Sequence, residues 1–173
     1  HLPPTARLSP PFTGLLTLVP KFMNHALRNP PASLLPDGRV LRVEGKTAEI
    51  FDPAAQTFTS PVNAPTNRSS HASVDLSDGT VLVTGGYVGG LAATDAWIFS
   101  PTSQRFTLLA AKMLVPRANH QTTRLLDGRV LATGGFSGTS PHAEVDLYDP
   151  LTQVFTAAPL MLNHRSNHQA VLL

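Results

Sequence analysis

The chain has 173 residues, of which 42% are hydrophobic and 14% charged, and its formal net charge is +2. This balance is typical of a globular protein and gives no electrostatic basis for binding nucleic acid. The absence of cysteine excludes disulfides, thiolate catalysis and cysteine-based zinc sites, and it leaves both an extracellular and a cytoplasmic location open. No apolar run reaches the roughly 18 residues that a membrane span needs.

A pattern with a period of about 48 residues divides the chain into successive copies. Residues 1–27 match the pattern poorly, and Phe12-Thr13 is a candidate for the outer strand of a preceding unit. The pattern then recurs, with a degenerate first copy and a truncated last one, over residues 28–67, 68–116, 117–164 and 165–173. Because the chain begins with His1 and not with Met, and ends at Leu173 where the next Asp-Gly turn is due, it is interpreted as a piece of a longer one.

The first copy departs from the others at three places. Glu44-Gly45 stands where the later copies have Gly-Gly, and Pro30-Pro31 stands where a histidine is expected. Only Lys46 to Glu49 connect the second predicted strand to the third, so we expect a much shorter loop here.

The cleanest copy begins with a predicted strand over His120 to Leu126. Asp127-Gly128 follows as a hairpin turn, because glycine tolerates the positive φ that such turns require. Arg129 to Thr133 is the second predicted strand, and Gly134-Gly135 ends it.

The same copy continues with a variable loop over Phe136 to His142 and a third predicted strand over Glu144 to Tyr148. Asp149-Pro150 begins a turn, since proline fixes φ there. Val154 to Ala157 is the fourth predicted strand. Four antiparallel strands per period of this length make one propeller blade.

These motifs together resemble the kelch repeat. Arg-x-x-His, Asp-Gly-Arg-Val-Leu-x-Thr-Gly-Gly and a Tyr-Asp-Pro turn occur in that order, and Phe58, Phe106 and Phe155 take the place of the usual tryptophan. The resemblance to this family, in its galactose-oxidase-like central propeller group, implies an all-β fold. We expect a partial kelch-type β-propeller of about three four-stranded antiparallel blades, with partial blades at the ends. Further blades or a second copy would be needed to close the ring.

An arginine heads the first strand of each later copy, at Arg68, Arg117 and Arg165. The resemblance implies that these arginines face the ligand-binding mouth and contact carboxylate or hydroxyl groups. A guanidinium suits that task because its planar fork binds carboxylates bidentately. The alternative is that each arginine pairs locally and holds its blade in register.

The pairs Asn119-His120 and Asn167-His168 recur at one position of the repeat, with Ser70-His71 as their counterpart. Together with the arginines, the first two pairs are candidate ligand-binding residues. A ring of imidazoles can bind a metal, but the same local hydrogen bond in every blade explains a repeated histidine more simply. We therefore predict no metal site and no cofactor.

No catalytic motif is present, and without cysteine this segment cannot build the cysteine–tyrosine radical cofactor of galactose-oxidase-like enzymes. The predicted function is a non-catalytic binding scaffold for a protein or carbohydrate ligand. Its specificity would lie in the loops Tyr87 to Thr94 and Phe136 to His142. The alternative is the propeller part of a larger enzyme, either an oxidase of that group or a sugar mutarotase, whose catalytic residues lie outside this segment.

Overall fold

A computed structural model describes residues 31–59, 62–138 and 140–173. Across these residues the fold is all-β, as predicted, and contains no helix, so none that is long and apolar enough to cross a membrane. The candidate strand at Phe12-Thr13 lies outside the described residues. The strands are, in chain order, β1 (Ala32–Leu34), β2 (Val40–Asp52), β3 (Thr57–Phe58), β4 (Val62–Ser69), β5 (Ala72–Asp75), β6 (Val81–Thr84), β7 (Tyr87–Val88), β8 (Leu91–Ala92), β9 (Ala96–Ser100), β10 (Arg105–Leu108), β11 (Gln121–Arg124), β12 (Val130–Thr133), β13 (Val145–Asp149) and β14 (Val154–Ala158).

The strands form three antiparallel sheets that fit a partial β-propeller-like fold. The first sheet has the order β1-β2-β4-β7-β8, with β3 paired to β2. The second has the order β10-β9-β6-β5, and the third β11-β12-β13-β14. Strand β5 of the second sheet contacts both β1 and β11, so the first strand of each sheet lies beside its counterparts.

The Asp-Gly turns lie where the sequence predicts them, between the first two strands of each sheet. In the third sheet, Gly128 has a φ of 89°, and the Asp127 carboxylate accepts a hydrogen bond from the Arg129 backbone at 3.0 Å. The side chain of aspartate thus fixes the turn, and the glycine provides the φ that the turn needs.

The first sheet differs from the prediction for its short connection. Lys46 to Glu49 do not form a separate loop but lie within β2, and the segment pairs with β4. Arg42 Nη1 lies 3.7 Å from Glu49 Oε2, whereas residues seven apart in a straight strand are about 23 Å apart. The chain therefore turns back on itself inside β2, around Gly45, whose φ is 59°.

Two apolar clusters hold the sheets together. Strand β6 contributes to both, since Val81 and Val83 pack towards the first sheet while Leu82 packs towards the third. This alternation follows from the period of two along a strand, and it leaves β6 buried on both faces. The clusters consist of Leu35, Leu41, Val43, Ala48, Ile50, Val81, Val83 and Phe99 on one side, and Leu76, Leu82, Ala96, Leu109, Met113, Val130, Ala132, Tyr148 and Phe155 on the other.

Each fourth-strand phenylalanine packs on an aromatic ring of the third strand in its own sheet. The ring centroids of Phe99 and Phe106 are 4.8 Å apart, as are those of Tyr148 and Phe155. Tilted aromatic pairs of this kind contribute to stability beyond their buried area.

The third sheet leaves apolar side chains in solvent on the face turned away from the second sheet. Met113 is 3% exposed between the second and third sheets, whereas Met161, its counterpart in the next copy, is partly exposed, and the adjacent Leu162 is fully exposed. Val171 and Leu173 are also exposed. A propeller blade buries its faces only against neighbours, and in the described part of the chain nothing covers this face.

Candidate functional site

Arg68 and Arg117 lie inside the protein, and each is bonded to residues of its own copy of the repeat. Arg68 donates to the Gly85 carbonyl at 2.7 Å and to Asp95 Oδ2 at 2.6 Å. Its guanidinium also bonds the Thr66 hydroxyl. Only 3% of Arg68 is exposed, so its donors are used internally.

Arg117 repeats this arrangement more completely. Its Nη1 donates to the carbonyls of Gly134 and Glu144, at 2.7 and 2.9 Å, and its Nη2 lies 2.9 Å from Asp146 Oδ1. The residue is fully buried, and burial lowers the pKa of Arg117 while the carboxylates of Asp146 and Glu144 act to raise it. The local pairing that the sequence left as an alternative is the arrangement that Arg68 and Arg117 adopt.

Arg165 differs from both, because its side chain is exposed. Within the described residues, the only hydrogen bond of this side chain is a long one of 3.5 Å, from Nε to the Asn163 carbonyl. Its backbone carbonyl, by contrast, accepts from the Gly135 amide at 2.9 Å. Of the three candidate arginines, this one alone presents its guanidinium to solvent.

The Gly-Gly doublets hold each sheet against the next one. Gly85 has a φ of 56°, and a Cβ atom built on it would overlap the Arg117 carbonyl oxygen. The following Gly86 donates its amide to that same carbonyl at 2.9 Å. Gly134 and Gly135 make the equivalent contacts with Arg165. Glycine is therefore required by both backbone conformation and close approach.

Histidine rings bridge neighbouring sheets next to these doublets. His120 Nε2 lies 2.8 Å from Thr84 Oγ1, and His168 Nε2 lies 3.0 Å from Thr133 Oγ1. Burial and the nearby Arg117 lower the pKa of His120 to about 3, so this imidazole is neutral at pH 7. The sequence suggested the same local hydrogen bond in every blade, whereas the bonds of His120 and His168 join neighbouring sheets.

His71 occupies the same position but lacks the threonine partner, because Val43 stands in its place. Neither ring nitrogen makes a hydrogen bond of ordinary geometry within the described residues. Burial and Arg68 lower the pKa of His71 to about 4, and the Val43 backbone acts weakly in the opposite direction. Only 6% of the residue is exposed.

The residue before each histidine adopts a left-handed conformation. Ser70, Asn119 and Asn167 have φ values of 56°, 53° and 52°. The Asn119 amide donates to the Ser70 carbonyl at 2.8 Å, and the Asn167 amide donates to the Asn119 carbonyl at 3.0 Å. This chain of backbone hydrogen bonds ties successive copies together at one end of the inner strands.

A polar cleft of about 780 Å³ opens at this end of the molecule. Four of the candidate residues line it, namely Asn119, His120, Asn167 and His168, and so does His71. Gln121 and Gln169 also line it, and they bond to each other through Nε2 and Oε1 at 3.2 Å. None of the described residues that line the cleft is Asp, Glu, Lys or Arg.

The cleft therefore brings the asparagine and histidine candidates together and leaves the arginines outside. No group of three or more His, Asp or Glu side chains within the described residues is placed to hold a metal ion. The sequence did not single out Asp95 and Asp146, the carboxylates that bond the arginines, or Gln121 and Gln169. The equal positions of Gln121 and Gln169 in the repeat were the available sign for that pair, whereas Asp95 and Asp146 are not equivalent, because Asp95 corresponds to Glu144.

The two predicted specificity loops have different structures. The Tyr87 to Thr94 loop forms the β7-β8 hairpin, which pairs with β4 and borders a second pocket of about 510 Å³ lined by Asn67, Arg68 and Tyr87. In the Phe136 to His142 loop, Phe136 makes bridges to Ala118 and Pro141. Tyr87 also lines the polar cleft, so the first of these loops reaches it.

No protein-family model matches the chain, and no curated protein matches it. Among solved structures, that of YjhT is similar, with a TM-score of 0.70 and 17% sequence identity. The match covers 83% of this chain and 54% of that one, so the matched part is about half the length of YjhT. At this identity the likeness shows the fold alone.

Proposed function

We propose that the chain is a non-catalytic kelch-repeat binding scaffold that takes a neutral, hydroxyl-rich ligand, such as a carbohydrate, in the polar cleft. The observation that supports this most is the lining of the cleft. It combines amides, hydroxyls and neutral imidazoles, and no charged residue is among the described ones. Such groups both donate to and accept from hydroxyl groups.

The ligand class differs from the acidic partner that the arginines suggested. The guanidiniums of Arg68 and Arg117 are bonded to carboxylates and carbonyls within their own copies of the repeat. A carboxylate ligand would have to replace those bonds, whereas a sugar hydroxyl needs only the side chains that face the cleft. Tyr87, at the rim, adds an aromatic surface of the kind that packs on a sugar ring.

A matched pair of ligands tests this proposal. We expect calorimetric titration to detect D-glucose binding in the millimolar range and weaker binding of D-glucuronate, which differs by one carboxylate. Gln121→Ala and Gln169→Ala should each weaken glucose binding about fivefold, the loss of roughly one hydrogen bond. Thr107→Ala, on the exposed outer strand β10, is the control and should have no effect.

The results separate the candidate functions. Binding of glucuronate alone would favour an acidic ligand at Arg165. No binding of either sugar would remove the carbohydrate proposal. Chemical conversion of the sugar by the purified chain would favour the alternative, in which the segment belongs to an enzyme.

A further inference from the structure

The three repeated histidines are not equivalent, and the odd one lines the cleft. His120 and His168 each bond a threonine of the preceding copy. At the corresponding position facing His71, the chain has Val43, which is 1% exposed and belongs to the apolar cluster between the first two sheets. Among the repeated histidines, His71 alone thus lacks a partner for both ring nitrogens within the described residues.

An unpaired polar group in this environment is unusual, because buried polar atoms are nearly always hydrogen-bonded. Only 6% of His71 is exposed, and its neighbour Ser70 has the left-handed conformation that recurs at this position of the repeat. The ring is neutral at pH 7, so one nitrogen is a donor and the other an acceptor. A hydroxyl group can bond either nitrogen, because it both donates and accepts.

We propose that His71 is the ligand-binding histidine of the cleft, and that its unpaired imidazole takes a hydroxyl group of a neutral sugar or polyol. This inference rests on the proposed function. It specifies which of the three histidines contacts ligand and which two bond a neighbouring sheet. His120 and His168 hold sheets together through their threonines, whereas Val43 leaves His71 without that bond.

The sharpest test is the substitution Val43→Thr, which recreates the threonine found opposite the other two histidines. We expect the new hydroxyl to bond His71, to keep or raise the melting temperature, and to weaken D-glucose binding at least fivefold in calorimetric titration. Thr84→Val is the matched reverse substitution. It removes the partner of His120 but leaves His71 as it is, so it should lower the melting temperature and should not weaken glucose binding.

Direct replacement of the ring provides a second test. His71→Phe should abolish detectable glucose binding, and His71→Asn, which keeps a polar group near the Nδ1 position, should restore part of it. Val43→Thr and His71→Asn proteins that are folded and bind glucose as the wild type does would overturn the inference, while the cleft proposal would stand. A wild-type protein that binds no glucose would overturn both.

Discussion

The two interfaces between neighbouring sheets are built from the same repeat, but only one of them has the hydrogen bond between histidine and threonine. Where the second sheet meets the third, Thr84 bonds His120 and Gly85 lies against the next copy. Where the first sheet meets the second, Val43 faces His71 without a hydrogen bond. The apolar clusters at the two interfaces are similarly buried.

This difference separates two roles of the repeat. Hydrophobic packing is present at both interfaces, and between the first two sheets it is joined by the bonds of Arg68, on β4, to Gly85 and Asp95. The polar bonds among arginine, glycine and histidine are complete only at the other interface, where we expect them to add stability. At the incomplete interface the unpaired polar group is left for another use.

The largest predicted effect comes from removing the buried arginine. Arg117→Ala should lower the free energy of unfolding by about 4 kcal/mol, because it leaves Asp146 as an unpaired charge in the interior. Arg68→Ala should cost less, since the Asp95 side chain is 24% exposed and can be hydrated, whereas that of Asp146 is 1% exposed. Urea unfolding of the two variants measures this. Equal losses would contradict the distinction between the interfaces.

The glycine doublet gives the next largest effect. Gly85→Ala should cost about 3 kcal/mol, from the positive φ and from contact with the Arg117 carbonyl. Gly89→Ala is a matched control, because Gly89 has a φ of 59° but open space around it. Its cost should be about 1 kcal/mol, the conformational part alone. Similar melting temperatures for the two variants would show that close approach is unimportant at Gly85.

Acid should weaken the fold through the buried histidines. Burial, with a nearby arginine, lowers the pKa of His71 to about 4 and that of His120 to about 3, from an ordinary value of 6.5. Their contribution is complete above pH 6.5, because both states are then neutral. As the pH falls, only the unfolded state takes up protons, and each histidine removes up to about 1.4 kcal/mol per pH unit until its folded-state pKa is reached.

Unfolding experiments between pH 7 and pH 3 check this dependence. His71→Asn should flatten the slope over pH 6 to pH 4. In that variant a further loss below pH 4 should persist, because His120 stays neutral to about pH 3. A stability that does not change from pH 7 to pH 5 would contradict the assignment of neutral, buried imidazoles.

The smallest effect concerns the threonine bond itself. Thr84→Val should lower the free energy of unfolding by about 1 kcal/mol, the usual net value of one buried hydrogen bond. Thr107→Val, on exposed strand β10, is the control and should be neutral. An equal effect of the two substitutions would mean that the bond to His120 contributes nothing measurable.

Much of the fold could be predicted, because each copy of the repeat has turn-forming residues at fixed places and strands whose side chains alternate between two faces. The strand predicted over Arg129 to Thr133 is β12, and the one predicted over Val154 to Ala157 is β14, each to within one residue at its ends. The β7-β8 hairpin was missed although its Gly89-Gly90 turn is a local sign of a hairpin. Strand β4 was missed because it depends on pairing with β2 and β7. The left-handed glutamines at 56, 104 and 153 were also missed, although they recur at one position after the proline turns.

The candidate site was harder to predict, because a repeated residue type does not reveal what it faces. Arg68 and Arg117 have the residue type of a ligand contact, but their partners Asp95 and Asp146 lie about 28 residues further along the chain. Asn119 and Asn167 do line the cleft. His71 is special because Val43 stands where the later copies have threonine. This relation is visible only once the fold places Val43 opposite His71.

The central claim is that one of three equivalent histidines is free to bind ligand while the others bond threonine. Correlation of ring protons with imidazole nitrogens by nuclear magnetic resonance at pH 7 tests this most directly. We predict that His71, His120 and His168 are all neutral, and that adding D-glucose shifts the nitrogens of His71 while leaving those of His120 in place. Unchanged His71 nitrogens at saturating glucose, or an equal shift of the His120 ring, would contradict the account.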